Sequence, residues 1–418
     1  MKKQLAKQAA QQLAEQQRAN GQQADKRLCV VVAPSGFKES LSAQEAARAI
    51  AVGVHKASPQ ARVIELPLVD GGEGFTTALV KVTGGKLHPV VVTGPVGQPV
   101  RAYVGVLGGS GPRTAVIEMA AAAGLRLVPR DQRNPLTTTT YGVGELIRAA
   151  LDMNVERILL GCGDSGTNDG GAGMAQALGV RLLDADNLPI GWGGAELRRL
   201  VQIDTSRRDP RLAHVRIDVA CNIHNLLCGP RGVARIFGPQ KGAAPAVVEE
   251  LAQALDNYAG VIEQDFGCSV RLMPGGGASG GLGAGLHALL GAHLHPRYDI
   301  VMQYYDIDRI LSQADLVITA EGGIDYQTPF GKIPGEVARR ARPYNIPVIV
   351  LAGTIGQGAS DNYAHGVTAF TSVLPRPCTL DEAISKAAEF TAVCAENVMQ
   401  MVLAGMRLNR TVADAAAD

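Results

Sequence analysis

The sequence predicts an α/β protein of two domains: a parallel-sheet domain assembled from both chain ends, and a mixed-sheet α/β domain inserted between them. Three observations carry this expectation. Both ends alternate short continuous apolar runs with segments of helical spacing, the pattern of strands buried on both faces of a doubly wound sheet. The middle instead shows strand-like pieces joined by short Gly/Pro turns, which suits mixed or antiparallel pairing. At 418 residues, the chain exceeds the usual allotment of one domain per ~150 residues.

The elements follow in order. Residues 1–26, MKKQLAKQAAQQLAEQQRANGQQADK, are rich in Ala and Gln and have no secretory apolar core. They are expected to be a peripheral, solvent-facing extension. Leu28–Ala33 reads as the first buried strand, and Pro34-Ser35-Gly36 ends it. In SAQEAARAIAVGVHKA, Ser42 caps a helix and Glu45, three residues on, completes a capping box. ARVIELPLVDGGEG is strand-like and ends in a polar turn. HPVVVTGPVGQPVRAYVGVLGG reads as a hairpin closed by PVGQP, and RTAVIEMA as a further strand. GCGDSGTNDGGAG, Gly161 to Gly173, leads into the helix-like MAQALGV, and HLH at 293–295 reads as a helix end. Toward the C-terminus, ADLVITAEG, IPVIVLAGT and VTAFTSV are strands, PGEVARRARPYN is helical, and DEAISKAAEFTAVCAENVMQMVLAG is one long closing helix. These assignments place the terminal domain at 27–75 and 286–410 and the insertion at 76–285.

Composition narrows the function. Lys plus Arg is 40 and Asp plus Glu is 39, so no global field recruits a nucleic acid or a membrane surface. Anionic ligands need local sites. No apolar run approaches the roughly 20 residues of a membrane span. Seven cysteines, an odd number without a CxxC pair, fit neither a disulfide framework nor a zinc ribbon. They are expected to be reduced thiols of a cytoplasmic protein. Cys221 and Cys228 bracket His224, a pattern read as packing in preference to metal binding.

Several glycine-rich polar turns hold the candidate chemistry: DGGEGF at 70–75, the Gly161–Gly173 stretch, MPGGGASGGLGAG at 273–285 and AEGGIDYQTPFGK at 320–332, with FKESLS at 37–42 and FGPQKGA at 237–243. A polyphosphate needs backbone N–H groups that it can approach closely, and glycine leaves them uncovered. Helix N-termini add partial positive charge. Lysines neutralise phosphate oxygens, and carboxylates hold a divalent cation. A hydroxyl acceptor needs a group that takes or orients its proton. Lys38, Lys241 and Lys332, and Asp70, Glu73, Asp164, Asp169, Glu321 and Asp325, supply these parts. Simpler readings stand beside them. Asp164 and Asp169 are also natural helix caps, Glu118 suits bracing a turn, and a lone Gly-rich turn is more often a tight connection. Neither GxxxxGK[ST] nor a clean GxGxxG after the first strand is present, which argues against a flavin or nicotinamide enzyme.

Taken together, APSGFKESLSAQEAARAI, ELPLVDGGEGF, NPLTTTTYGVGELI, GCGDSGTNDGGAGMAQALGV, FGPQKGA, GASGGLGAGL and ADLVITAEGGIDYQTPFGKIP resemble the type-1 glycerate kinase family, from about residue 28 to 405. The resemblance implies a discontinuous flavodoxin-like domain, an inserted α/β domain and an active site in the interdomain cleft. It also implies ATP-dependent phosphorylation of glycerate with Mg²⁺. The expected catalytic set is Asp169, as base or acceptor-orienting group, with Lys38, Ser165 and Asn168. ATP is expected at Lys241, Thr167, Lys332, Gly275, Gly276, Gly277, Gly280 and Gly281. Substrate is expected at Asp70, Gly71, Gly72, Glu73, Glu321 and Asp325, with Asp70, Glu73 and Asp325 also the Mg²⁺ candidates. The expected partners are ATP and a small hydroxy acid, with no nucleic acid and no membrane, and a homo-oligomer stays open.

The chain departs from the family's usual pattern in these loops. Ser35-Gly36 replaces Asp-Ser, and Glu39 replaces Gly. Asn222 and His224 stand where CDVDNPL has acids, and Gly323 stands where GEGRID has arginine. A guanidinium is a natural bidentate clamp for a carboxylate. Two alternatives therefore stand: a relative acting on another small hydroxy acid or polyol, and a non-catalytic ligand-binding homologue.

Overall fold

The computed structural model describes residues 27–37 and 40–415, with side chains to Leu408. The extension of residues 1–26, and Lys38 with Glu39, lie outside the described residues. In chain order the strands are β1 (Cys29–Val32), β2 (Arg62–Glu65), β3 (Lys86–Thr93), β4 (Pro99–Val106), β5 (Thr114–Glu118), β6 (Arg157–Gly161), β7 (Arg181–Leu183), β8 (Gln202–Asp204), β9 (Arg216–Cys221), β10 (His293–Pro296), β11 (Leu316–Ile324), β12 (Val348–Ile355) and β13 (Ala369–Ser372).

Two compact units divide the chain. One combines the described residues up to Pro67 with those from Asp308 onward, and the other is Leu68–Ile307. In the first unit, five strands form a sheet of order β13-β12-β11-β1-β2 in which every pair is parallel. All four residues of β1 are buried, as its continuous apolar run requires. The helix Ala43–Ala57 begins with the expected capping box: Ser42 Oγ accepts from the Glu45 N–H, and the Glu45 carboxylate accepts from the Ser42 N–H. Its buried stripe of Ala46, Ile50 and Val54 shares a core with Val398 and Met399 of the long helix Ala387–Ala415. The two helices approach closely at Gly53, where a Cβ would lie 2.2 Å from the Ala392 carbonyl oxygen. The expected single closing helix is in fact two, Leu380–Ser385 and Ala387–Ala415, broken at Lys386.

In the second unit, six strands take the order β10-β9-β6-β5-β4-β3, and β7 and β8 form a separate two-stranded ribbon. The sheet is mixed. β3 and β4 form the expected antiparallel hairpin, from Lys86↔Val106 to Thr93↔Pro99, and β4 pairs antiparallel with β5. From β5 onward the pairs β5–β6, β6–β9 and β9–β10 are all parallel. One core runs from Val92 to Ala292 and includes the inward face of the 22-residue helix Pro245–Phe266.

Two local expectations are corrected. HLH at 293–295 is not a helix end but strand β10, held by its pairing with β9. ARVIE, though its pattern resembles that of the mixed-sheet pieces that follow, lies in the all-parallel sheet as β2 beside β1, within the terminal domain expected for 27–75. Residues 68–75 and 286–307 fall in the second unit: the former pack on Gly161–Gly163 and Glu118, and the latter include β10, which completes the sheet. Among the described residues, no helix is long and apolar enough to cross a membrane.

Candidate active site

Chemistry-bearing residues of the second unit gather at the carboxyl ends of β5, β6, β9 and β10, where open α/β sheets place ligands. β5 ends in Glu118, β6 runs into Cys162–Asp169, β9 into Asn222–Asn225, and β10 into Arg297.

The DGGEG loop lies against these ends. Gly72 and Gly163 pack backbone to backbone: a Cβ on Gly163 would stand 2.6 Å from the Gly72 Cα. Glycine at 71, 72, 161 and 163 is therefore explained by the mutual approach of the two loops. Asp70 Oδ1 accepts from the Gly72 N–H at 3.3 Å, and its Oδ2 accepts from Arg297 at 2.6 Å. The Glu73 carboxylate accepts from Arg126 through both oxygens, at 2.7 and 2.6 Å. Asp164 Oδ2 accepts from the Glu73 N–H at 3.1 Å. Asp164 itself is left-handed at φ 50° and does not cap the helix that follows. Glu118 does brace a turn: it accepts from the Gly74 and Thr76 N–H groups at the start of the helix Phe75–Thr83. Its burial pushes the carboxyl up to about 7, against those two hydrogen bonds.

Deeper in the same unit sit Ser165, Thr167, Asn168, Asp169 and Lys241, all buried. Asp169 accepts from four donors: Thr140 N at 2.8 Å, Thr140 Oγ1 at 2.8 Å, Gly171 N at 3.2 Å and Gly173 N at 3.3 Å. The carboxylate thus holds the start of the helix Ala172–Ala177 and ties it to Thr140. Burial raises its pKa, and the hydrogen bonds oppose the rise. Lys241 lies in the FGPQKGA turn with its chain fully enclosed. Its Nζ donates to Ser165 Oγ at 2.9 Å, Thr167 O at 2.6 Å and Asn168 Oδ1 at 3.4 Å. Burial brings the amine down to about 7, and the charge of Asp169 works against the fall. Thr167 Oγ1 and Asn168 Nδ2 are buried with no hydrogen-bond partner among the described residues. An orphaned buried polar atom is costly unless a ligand or water completes it.

The third glycine-rich turn closes on this group. Within the helix Ala278–Leu290, Ser279, Gly280 and Gly281 are left-handed, with φ 52°, 72° and 92°. Gly280 O accepts from the Gly170 N–H, and a Cβ on Gly280 would lie 2.0 Å from Thr167 O. Gly275 is also left-handed, at φ 81°, and Gly276 and Gly277 complete the turn.

In the first unit, Glu321 and Asp325 lie at the carboxyl end of β11. Lys332 Nζ contacts both Asp325 carboxylate oxygens at 3.0 Å and the Gly323 carbonyl at 3.1 Å. Asp325 also accepts from the Gln327 N–H. Two residues expected to meet different ligand groups are here each other's partners.

Arg297, Arg126 and Thr140 were missed by the sequence reading. Arg297 follows a strand misread as a helix end, Arg126 has no motif of its own, and Thr140 lies in the TTTT run, whose only signal was its place in a family segment. The thiols flanking His224 point elsewhere: Cys221 donates to the His295 carbonyl and Cys228 to the Leu255 carbonyl. Burial holds them protonated, at about 12 and about 11.

Fold and site define a two-unit α/β protein with polar, glycine-rich loops at the ends of parallel strands. The chain belongs to the glycerate kinase family, which it matches over residues 30–403. It is 48% identical to a glycerate kinase of Bacillus subtilis over 383 residues, covering 92% of this chain and 99% of the relative. It is 47% identical to a glycerate kinase of Halalkalibacterium halodurans (88% and 97% covered) and 45% identical to a glycerate 2-kinase of Escherichia coli (90% and 99% covered). A solved crystal structure from Salmonella typhimurium LT2, called there a glycerate kinase 2, superposes with a TM-score of 0.73 at 47% identity, covering 91% of this chain and 100% of that one.

Proposed function

We propose that this protein is an ATP-dependent kinase that phosphorylates a hydroxyl of a small hydroxy acid, glycerate by default. The supporting observation is the enclosed group of Lys241, Ser165, Thr167, Asn168 and Asp169 beneath the Ser279–Gly281 turn, in a chain of the glycerate kinase family. In the first unit, the parallel order β2-β1-β11-β12-β13 supports the flavodoxin-like reading.

In this proposal the acceptor oxygen attacks the γ-phosphorus, the bond to the β,γ-bridging oxygen breaks, ADP leaves, and the hydroxyl proton passes to the protein. Lys241, held near neutrality by burial, is suited to take that proton or to meet phosphate charge. Asp169, saturated by four donors, takes the orienting role: it fixes Thr140 and the backbone that carries Asn168. Asp70 with Arg297 and Glu73 with Arg126 present guanidinium groups beside the DGGEG loop, and these are candidates for the clamp absent at Gly323. Lys38 and Lys332 remain candidates for phosphate contacts.

Among the described residues, no group of three or more His, Cys, Asp and Glu side chains is arranged to hold a metal. Mg²⁺ commonly takes one or two carboxylates together with substrate phosphates. The residues fit that need at Gly72, where a Cβ would stand 2.3 Å from Asp164 Oδ2 and 3.3 Å from Asp70 Oδ1. Asp70 and Asp164 would hold the ion, Asp70 by giving up its pairing with Arg297 and Asp164 beside its hydrogen bond from the Glu73 N–H; Glu73 and Asp325 are likewise paired, to Arg126 and Lys332. When bound, Mg²⁺ neutralises phosphate charge. Seven free cysteines suit a cytoplasmic protein.

The test is coupled ADP release with Mg-ATP and a panel of glycerate, tartrate and hydroxypyruvate. Turnover is expected with glycerate. Preference for another acceptor would reassign the substrate, and tight ATP binding without turnover on any acceptor would favour a non-catalytic homologue.

A further inference from the structure

We propose that the cavity beside the Gly275–Gly281 turn is the slot for the purine base of the phosphoryl donor, an inference that rests on the kinase reading above. The cavity is about 440 Å³ and is walled by Ile223, Leu226, Val233, Ile236, Phe237 and Pro274, with exposed His224 and Arg231 at its edge. Mostly apolar walls with a few polar groups, at a volume in the range of ~300–1,000 Å³, describe a pocket for a small organic ligand. A three-carbon hydroxy acid is too small and too polar for those walls. A flat heteroaromatic base, apolar on its faces and polar at its edge, suits them.

Two hydrogen bonds join this wall to the glycine-rich turn. The Gly275 N–H donates to Ile223 O at 2.9 Å, and the Gly277 N–H donates to Asn225 O at 3.0 Å. The turn continues through left-handed Ser279, Gly280 and Gly281 to the backbone of Thr167 and Asn168, whose buried Oγ1 and Nδ2 lack partners among the described residues. Successive backbone N–H groups where right-handed and left-handed residues adjoin form anion-binding concavities, and that change of hand falls between Ala278 and Ser279. The order in space is therefore apolar slot, glycine turn, then unpartnered donors and Lys241, which is the order of base, phosphates and transferred group in a nucleoside triphosphate. Ile223–Leu226, within the segment where the chain departs from the family pattern, lines the base end of that order.

Ile236 is 53% exposed, so Ile236→Asp puts a charge on the slot wall without disturbing the core. Binding is read by titration with the fluorescent nucleotide mant-ADP, without acceptor, alongside the KM values for ATP and glycerate. Val91→Asp, on exposed β3, is the control. Ile236→Asp is expected to weaken mant-ADP binding and raise the ATP KM by tenfold or more. The glycerate KM should stay within twofold, and inhibition by inorganic tripolyphosphate, which has no base, should not change. Unaltered mant-ADP affinity in Ile236→Asp, with or without a change in oligomeric mass, would overturn the slot while leaving the kinase reading intact. Equal weakening of tripolyphosphate would also overturn it. No mant-ADP binding and no ADP release by the wild-type protein would overturn both.

Discussion

Replacing Lys241 by methionine removes an amine that is 2% exposed and keeps most of the side-chain volume. Burial lowers this amine from 10.5 to about 7, which corresponds to roughly 5 kcal/mol in favour of its neutral form. The sign follows from proton counting. Above pH 10.5 the amine is neutral in both the native and the unfolded chain. Between 10.5 and about 7 the unfolded chain binds a proton that the native chain does not, so the native state loses stability as pH falls. Below about 7 the loss is complete and constant. The wild-type protein should therefore gain about 2 kcal/mol between pH 7 and pH 9 relative to Lys241→Met, which lacks this titration. Urea unfolding followed by circular dichroism at pH 7, 8 and 9 measures it, and differencing the two proteins cancels the titrating groups that do not interact with Lys241, Asp169 being the one that does. A constant offset is expected besides, because Ser165, Thr167 O and Asn168 lose their donor. Parallel pH dependences, within about 0.5 kcal/mol, would refute the buried neutral amine and with it the proton-handling role.

Further outcomes concern the supports of the site. Glu118→Gln should remove a loss of stability that the wild type shows as pH rises from 4.5 to about 7, because over that window the unfolded carboxyl has released a proton that the native one retains; urea midpoints at pH 4.5, 6 and 7.5 test it. Asp218 is fully buried between Arg157, Arg216 and His295. Burial alone would raise its pKa, but the hydrogen bonds from Arg216, His295 and Arg157 outweigh it and hold the carboxyl at about 2. Asp218→Asn should cost roughly 3 kcal/mol in urea unfolding. Gly280→Ala places a Cβ against Thr167 O at a left-handed position and should destabilise by about 1–3 kcal/mol or more, with a loss of kcat larger than the loss of fold measured by circular dichroism.

What the sequence disclosed follows the reach of its signals. β1, the Ser42–Glu45 capping box and the β3–β4 hairpin were legible because each is encoded within a few neighbouring residues. β10 was not, because HLHP is short and has no continuous apolar run, and only its pairing with β9 makes it a strand. The polar loops were legible as candidates, but their internal partners were not. Nothing near Asp70 or Glu73 announces Arg297 or Arg126, which are distant in the chain and meet them through the fold. Lys241 illustrates the same limit. FGPQKGA reads as a polar turn, and lysines are rarely enclosed, so its burial is a property of the packed unit. Of Gly161–Gly173, the sequence showed that backbone must come close to something. The structure shows that at Gly161 and Gly163 that something is the protein's own DGGEG loop, while Gly170 meets Tyr258, Gly171 meets Leu282 and Gly173 meets Thr139.

The most direct measurement is ³¹P NMR of the protein with Mg-ATP and glycerate, beside Lys241→Met and an acceptor-free control. The account predicts one phosphoglycerate formed for each ADP in the wild type, and a rate lower by about 10²-fold or more in the variant. A wild-type spectrum with no phosphomonoester signal above the control, from glycerate or from any other small hydroxy acid, would contradict it.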